Sequence, residues 1–213
     1  MVIAIDGMSA TGKSTLAFNL ASKLNLKYLN SGSIYRCIAL KVMNKEISLD
    51  DELLEDEIVN LNIDFEIIDN KQRVFLDDND VTDLIRLESV SVFTPSIANH
   101  SVIKPAIRKI QGKFVKEGNI VIEGRDIGTR IAPDADYKFY LSSTLDKRAE
   151  RVYNELKEKQ NVTYLQIYND IKKRDEKDIE DGNFIEPDNA IFIDTTDLDL
   201  DEALNKMLSY IRR

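Results

Sequence analysis

The feature that most limits how this chain can fold is Gly7-Met8-Ser9-Ala10-Thr11-Gly12-Lys13-Ser14, which satisfies G-x-x-x-x-G-K-[ST] at every fixed position. It lies between an apolar run, Val2-Ile3-Ala4-Ile5, and a helical pattern from Lys13 to about Leu24. Strand, glycine turn and helix in that order are the first unit of an α/β sheet. The glycines let the backbone curl until successive N–H groups face one polyanion, and the positive end of the helix adds to the same field. Residues 7–14, with Thr15 after them, therefore read as a cradle for ATP phosphates. Lys13 would reach the β- and γ-phosphates, and the Ser14 hydroxyl would ligate Mg²⁺. The bland alternative is a glycine turn ahead of an ordinary helix, and the strand–loop–helix context argues against it.

Such a loop leaves three classes open: a kinase of a small acceptor, a switch GTPase, and a nucleotide-binding module without catalysis. The chain has no N-K-x-D to read guanine and no D-x-x-G switch, which sets the GTPase aside. A net charge of −9 argues against a general binder of nucleic acid or membrane surfaces, which would carry a basic stripe. It does not exclude a nucleotide substrate, because a few arginines converging on one cleft suffice. At 213 residues the chain suits one compact domain with a core large enough to need no staple. Cys37 is the only cysteine, so an internal disulfide is impossible. The apolar runs fall far short of the ~20 residues that span a bilayer, and the first residues enter a strand pattern at once. The expectation is a cytoplasmic protein.

Further along, Leu26 to Leu29 reads as a second strand, and the polar residues Asn30-Ser31-Gly32-Ser33 lead into a helix over Ile34 to Val42. Ile63 to Ile67 and Arg73 to Leu76 alternate in polarity about the turn Asp69-Asn70-Lys71, the pattern of an antiparallel hairpin. A helical stretch from Ser89 to Glu117 carries Pro95 and Pro105, and breaks are expected near them. Asn119 to Ile122, Tyr137 to Leu141 and Ala190 to Ile193 are further strands. Helices are expected at Asp146 to Gln160, Tyr164 to Asp178 and Leu200 to Ile211. The fold expectation is a three-layer α/β P-loop core with a mainly parallel five-stranded sheet and a small antiparallel insert. The core would take residues 1–60 and 86–213, and the insert 61–85.

Seven segments, in this order and spacing, resemble the bacterial-type cytidylate kinase family over nearly the whole chain. They are Ile5-Asp6-Gly7…Gly12-Lys13-Ser14, Asn30 to Arg36, Asp80-Val81-Thr82…Ile85-Arg86, Glu123-Gly124-Arg125-Asp126-Ile127-Gly128-Thr129, Pro133 to Asp136, Arg174-Asp175…Asp178 and Asp194-Thr195-Thr196. The resemblance implies in-line transfer of the ATP γ-phosphoryl group to CMP or dCMP by a monomer with a mobile lid at about residues 151–175. Lys13, Arg125, Arg151 and Arg174 would be the catalytic set, and Arg148 would join the ATP site. Ser31, Arg36, Lys104, Arg125, Asp126 and Asp178 would bind the acceptor. Glu123, at the end of a strand, would serve the Mg²⁺ through water.

These roles fit the chemistry. Two phosphate groups must approach while charge moves between them, and arginine grips phosphate oxygens in pairs while staying charged. The acceptor is already an oxyanion, so no general base is required, and His100 reads as a helix-surface residue. Arg148 and Arg151 lie three apart on one expected helix crowded with Glu and Lys, so a solvated or salt-bridged role competes for both. Ser31 could equally be a helix cap. Three positions depart from the family's cytosine-reading pattern: Lys104 stands for an arginine, Pro95 for a serine and Asp181 for an arginine. Lysine loses the two-pronged donor, proline has no side-chain donor, and aspartate reverses the charge beside an anionic nucleotide.

Overall fold

The computed structural model describes residues 1–50, 53–59, 61–101, 103–182 and 185–211. Strand β1 (Val2–Gly7) leads through the glycine loop into α1 (Lys13–Leu24), followed by β2 (Lys27–Asn30), α2 (Ser31–Asn44) and α3 (Leu53–Val59). Three strands, β3 (Ile63–Ile68), β4 (Lys71–Leu76) and β5 (Asn79–Asp80), precede a 3-10 turn at Leu84–Arg86. Then come α4 (Glu88–Asn99), α5 (Ile103–Glu117), β6 (Ile120–Gly124), a π-helical turn at Ile127–Ile131 and β7 (Tyr137–Ser142). The chain closes with α6 (Leu145–Leu156), α7 (Tyr164–Glu180), β8 (Ile191–Asp194) and α8 (Leu200–Tyr210).

One sheet is five-stranded, in the order β2-β6-β1-β7-β8, with β1–β7 and β7–β8 paired parallel. Parallel strands are covered on both faces, so they are apolar at nearly every position rather than at alternate ones. Ile3, Ala4 and Ile5 of β1 and Ile120, Val121 and Ile122 of β6 are all buried. Because β1 lies in the middle of this order, its carboxyl end delivers the glycine loop at the sheet's crevice, where ligands of open α/β sheets bind. The fold matches the α/β expectation.

A second, antiparallel sheet has the order β3-β4-β5. Ile63 faces Leu76 and Ile68 faces Lys71, so only Asp69 and Asn70 form the turn, both with positive φ (51° and 57°). Two left-handed residues make the mirror-image turn whose twist suits a hairpin. Asp77 and Asp78 repeat it (φ 49° and 64°) and bring back β5, a two-residue strand too short to show periodicity in the sequence.

The chain divides into two compact units, residues 1–20 with 121–213, and residues 21–120. Among the described residues no helix is long and apolar enough to cross a membrane.

Several element boundaries differ from expectation. The 89–117 stretch breaks between Asn99 and Ile103, just ahead of Pro105 as expected, and does not break at Pro95. Pro95 lies inside α4, one residue after Thr94, whose hydroxyl donates to the Val90 carbonyl at 2.7 Å. Pro105 is the third residue of α5, where a backbone N–H has no intrahelical acceptor to lose. Helix α2 starts at Ser31 because Asn30 is its cap: the Asn30 Oδ1 accepts from the Ser33 N–H at 3.2 Å. Ser31 is thus inside the helix, and the cap alternative for it is withdrawn. Helix α6 begins at Leu145 under a Thr144 cap and stops at Leu156, four residues before the expected end.

Candidate active site

The P-loop is built by three backbone positions that an ordinary turn would not contain. Gly7, Ala10 and Gly12 have φ of 151°, 58° and 89°. A Cβ on Gly7 would stand 2.2 Å from the Leu141 carbonyl oxygen on the adjacent strand, so glycine is required there by contact as well as by φ. Inside the loop, the Thr11 hydroxyl donates to the Met8 carbonyl at 3.0 Å. The buried Lys13 ammonium donates to the same carbonyl and to Thr11 Oγ1. Gly12 also accepts from the Leu16 N–H, starting α1.

Burial pushes the Lys13 ammonium down to about 7, and the neighbouring Arg125 guanidinium pushes the same way. Glu123, Asp6 and Asp178 oppose them. The positive charge is therefore undercompensated among the protein's own groups. An arriving polyanion would restore it, which is the electrostatic condition for a phosphate site.

Arg125 follows β6 and closes on the loop. Its Nε donates to Asp178 Oδ2 at 2.7 Å, Nη1 to the Gly7 carbonyl at 3.2 Å and Nη2 to Ser9 Oγ at 2.9 Å. The loop holding Arg125 is anchored by Asp6, a fully buried carboxylate at the end of β1. It accepts from the Ile127 N–H at 2.8 Å and the Gly128 N–H at 2.7 Å. Burial raises the Asp6 carboxyl to about 6, with Asp126 adding to the rise, while the two amide donors and Lys13 pull it down.

Arg148 is a buried strut beneath the loop rather than a solvated residue of α6. Its Nη1 donates to the Ser9 carbonyl at 2.9 Å and to Asp175 Oδ2 at 2.6 Å, and its Nε to the Ser143 carbonyl at 3.1 Å. Asp175 Oδ1 accepts from the Ser9 N–H at 3.2 Å, so the ion pair holds both backbone groups of one loop residue. Ala10 packs beside the core of Ala149, Ile167 and Ile171 that joins α6 to α7. Arg151 points elsewhere: its guanidinium donates to the carbonyls of Thr195, Thr196 and Leu198 and to Thr195 Oγ1. Arg174 is exposed on α7, immediately before Asp175.

Ser14 Oγ donates to Glu123 Oε1 at 2.9 Å, which brings two hard oxygen donors together beside the loop. This donor set suits Mg²⁺, which takes one or two protein oxygens and keeps waters and phosphate oxygens for the rest. Among the described residues no cluster of three or more His, Cys, Asp or Glu side chains could hold a metal by itself.

Of the remaining expected residues, Asp126 pairs with Arg130 at 3.3 Å, and Ser31, Arg36 and Lys104 lie in the unit of residues 21–120. Ser31 is buried and its hydroxyl accepts from Gln111 Nε2 at 3.0 Å. Arg36 is half-buried and its Nη1 donates to the Ile85 carbonyl at 3.2 Å. Lys104 is half-buried in the first turn of α5, and Pro95 is exposed on α4. The structure thus gathers Lys13, Ser14, Glu123, Arg125, Arg148 and Asp178 around one loop, while Ser31, Arg36 and Lys104 have their own surroundings. Sequence reasoning assigned no role to Asp6, Asp175 or Thr195. All three stand in segments already singled out, but nothing in a sequence says that a carboxylate will turn inward to hold backbone amides.

A family model described as cytidylate kinase matches residues 3–213. The chain belongs to the cytidylate kinase family. It is 40% identical over 214 residues to a cytidylate kinase of Caldanaerobacter subterraneus subsp. tengcongensis, covering 99% of this chain and 94% of that one. It is 38% identical over 210 residues to a cytidylate kinase of Caldicellulosiruptor bescii, covering 97% and 93%. Among solved structures it is similar to an uncharacterized protein from Eubacterium ventriosum (TM-score 0.54, 18% identity, 99% and 97% covered). A shikimate kinase from Bacteroides thetaiotaomicron is also similar (TM-score 0.50, 11% identity, 98% and 97% covered). At these identities the structural likenesses speak for the fold of this family member alone.

Proposed function

We propose that this chain transfers the γ-phosphoryl group of ATP to CMP or dCMP, giving ADP and CDP or dCDP. The observation that carries the reading is the convergence of Lys13 and Arg125 on one P-loop in a cytidylate kinase family chain. ATP phosphates lie along residues 7–15, where the loop amides and Lys13 take up their charge. Arg125 is assigned to the transferring γ-phosphoryl group, because its guanidinium already lies against the first residues of the loop, at Gly7 and Ser9. Its exchange of protein acceptors for phosphate oxygens is the step that costs least in reorganisation, since the group is held in place before substrate arrives. Arg174, exposed on α7, is assigned to the transferring group, and Arg151 joins it only by releasing the Thr195, Thr196 and Leu198 carbonyls that hold its guanidinium; Arg148 acts on ATP through Ser9. Ser14 and Glu123 would hold Mg²⁺, which when bound screens the oxygens of the β- and γ-phosphates.

Acceptor binding is assigned to Ser31, Arg36, Lys104, Arg125, Asp126 and Asp178, with Arg36 and Arg125 on the phosphate. The acceptor oxyanion attacks phosphorus as the bond to the β-phosphate oxygen breaks, with no proton to remove. We further assign residues 1–60 and 86–213 to the core, 61–85 to the acceptor side, and about 151–175 to a lid that excludes water from ATP. The working form is a cytoplasmic monomer.

The test is an ADP-release assay with MgATP and a panel of CMP, dCMP, UMP, AMP and GMP. Turnover strongest with CMP or dCMP supports the reading. Turnover confined to another monophosphate, or silence across the panel while ATP still binds, overturns it.

A further inference from the structure

The end of β1 grips the turn after β6 at two points. The Asp6 side chain is fully buried; its Oδ1 accepts from the Ile127 N–H and its Oδ2 from the Gly128 N–H, so each carboxylate oxygen serves one amide. The carbonyl of the next residue, Gly7, accepts from Arg125 Nη1. On its far side the turn has no slack: a Cβ on Gly128 would stand 3.0 Å from Pro187 Cγ and 3.1 Å from Lys138 Cδ. Arg125 lies just ahead of this clamp in the chain, so its guanidinium reaches Gly7, Ser9 and Asp178 from a backbone that Asp6 holds.

We propose that Asp6 is a positioning residue for phosphoryl transfer: its carboxylate holds the turn that aims Arg125 at the loop, and transfer slows when either oxygen stops accepting. The inference rests on the reading above, that Arg125 serves the transferring group. Two neighbouring N–H groups need two acceptors, and an ionised carboxylate offers one on each oxygen. Protonation, or replacement by asparagine, sets a donor opposite one of the amides. That buried N–H loses its partner, and the turn must move to find another. A shift of about 1 Å in a group that meets the reacting atoms can cost about a hundredfold in rate. Burial raises the Asp6 carboxyl to about 6, which puts the change within reach of an ordinary pH series. Around it, Lys13 of α1 favours the charged form and Asp126 of the turn opposes it. Tyr140, opposite Asp6 on β7, stays neutral with its hydroxyl pushed up to about 12 by burial, and Glu123 of β6 accepts from Ser14. The competing explanation is purely structural: a buried carboxylate that satisfies two amides stabilises the turn and does nothing more.

A double-mutant cycle separates these. With saturating MgATP and CMP near pH 8, Asp6→Asn should lower kcat by at least about tenfold. Added to Arg125→Ala, where the aimed group is already gone, the same change should cost less than about threefold more, because both remove one function. A purely structural carboxylate would lower Tm and leave kcat of the folded variant near its original value, which overturns the proposal. A kcat loss that multiplies in full onto Arg125→Ala overturns it as well, since Asp6 would then act on something other than Arg125. A second measurement leaves Asp6 unaltered and serves if Asp6→Asn does not fold. Substrate phosphates also titrate near about 6, so the quantity to follow is the ratio of kcat between the unaltered protein and Arg125→Ala, in which their titration cancels. As Asp6 takes up its proton between about pH 8 and about pH 5, this ratio should shrink at least about threefold; a constant ratio overturns the proposal. The unaltered protein tests the underlying reading separately: absence of CMP turnover there removes both, whereas CMP turnover with full multiplication of the two losses removes only the inference.

Discussion

Replacing Asp175 by asparagine removes one charge of a buried ion pair while keeping its shape. In the native protein the Asp175 and Arg148 side chains are 10% and 4% exposed and lie 2.6 Å apart. The variant leaves the Arg148 guanidinium buried with neutral acceptors only, the Ser9 and Ser143 carbonyls and a single amide oxygen that must serve either Arg148 or the Ser9 N–H. Removing one partner of a buried pair costs about 3–5 kcal/mol, because the other charge loses water without compensation. The retained carbonyl contacts place the expected cost near the lower end, about 3 kcal/mol. At about 2–4 °C per kcal/mol for a chain of this size, Tm should fall by about 6–12 °C. The double variant R148M/D175L removes both charges, and an apolar replacement of a buried pair is often neutral or stabilising, so Tm should recover most of the loss. Asparagine has one acceptor oxygen for two donors, Arg148 and the Ser9 N–H, and the double variant has none, so the brace on Ser9 is weakened in both and KM for ATP should rise about tenfold while KM for CMP stays put. Thermal unfolding and steady-state kinetics on the same preparations decide the matter. A Tm within about 2 °C of the original for Asp175→Asn would refute the energetic argument. If KM for ATP recovered along with Tm in the double variant, the pair would be a stabiliser only, not a brace on the loop.

Lys13→Ala should lower phosphoryl transfer by several orders of magnitude with far-ultraviolet circular dichroism unchanged; near-normal turnover would defeat the P-loop assignment. The same lysine makes stability pH-dependent: unfolded, it keeps its proton to about 10.5, and folded it releases it near 7. Between those values the unfolded state binds more protons, so ligand-free stability should rise with pH from 7 toward 10. Lys13→Met should flatten this slope in a Tm-against-pH series, and an unaltered slope would show that the lysine does not titrate in that range. Gly7→Ala places a methyl 2.2 Å from the Leu141 carbonyl, so β1 and β7 must separate; a Tm drop above about 10 °C or loss of soluble protein is expected, and native Tm would contradict the packing. Arg125→Ala should raise KM for CMP and lower kcat together, and a change confined to ATP affinity would show that the residue is misplaced on the donor side.

What the sequence determined by itself was whatever depends on neighbours along the chain. The P-loop needs glycines at fixed spacing between a strand and a helix, so residues 7–14 revealed both an anion cradle and the first α/β unit. The β3–β4 hairpin was legible because polarity alternates about a two-residue turn, and the buried strands because parallel strands are apolar throughout. What stayed hidden depended on partners distant in sequence. Helix α5 accepts Pro105 because the chain breaks just ahead of it, which puts the proline in the first turn, where no intrahelical hydrogen bond is lost.

The arginines show the same division. Their number and motif context marked Arg125, Arg148 and Arg151 as candidates, but neither the place of Arg125 after a strand nor the three-residue spacing of Arg148 and Arg151 on one helix gave a sign of where each guanidinium would point. Tertiary structure sent Arg148 under Ser9 to Asp175, sent Arg151 to the Thr195–Leu198 carbonyls, and set Arg125 against the loop and Asp178. It also turned Asp6 inward to hold Ile127 and Gly128, and brought Arg130 next to the residue after Asp181. The physical reason is that a backbone curl is a local property of φ and ψ. The direction of a charged side chain is decided by which carbonyls and carboxylates the rest of the fold places within about 3 Å of it.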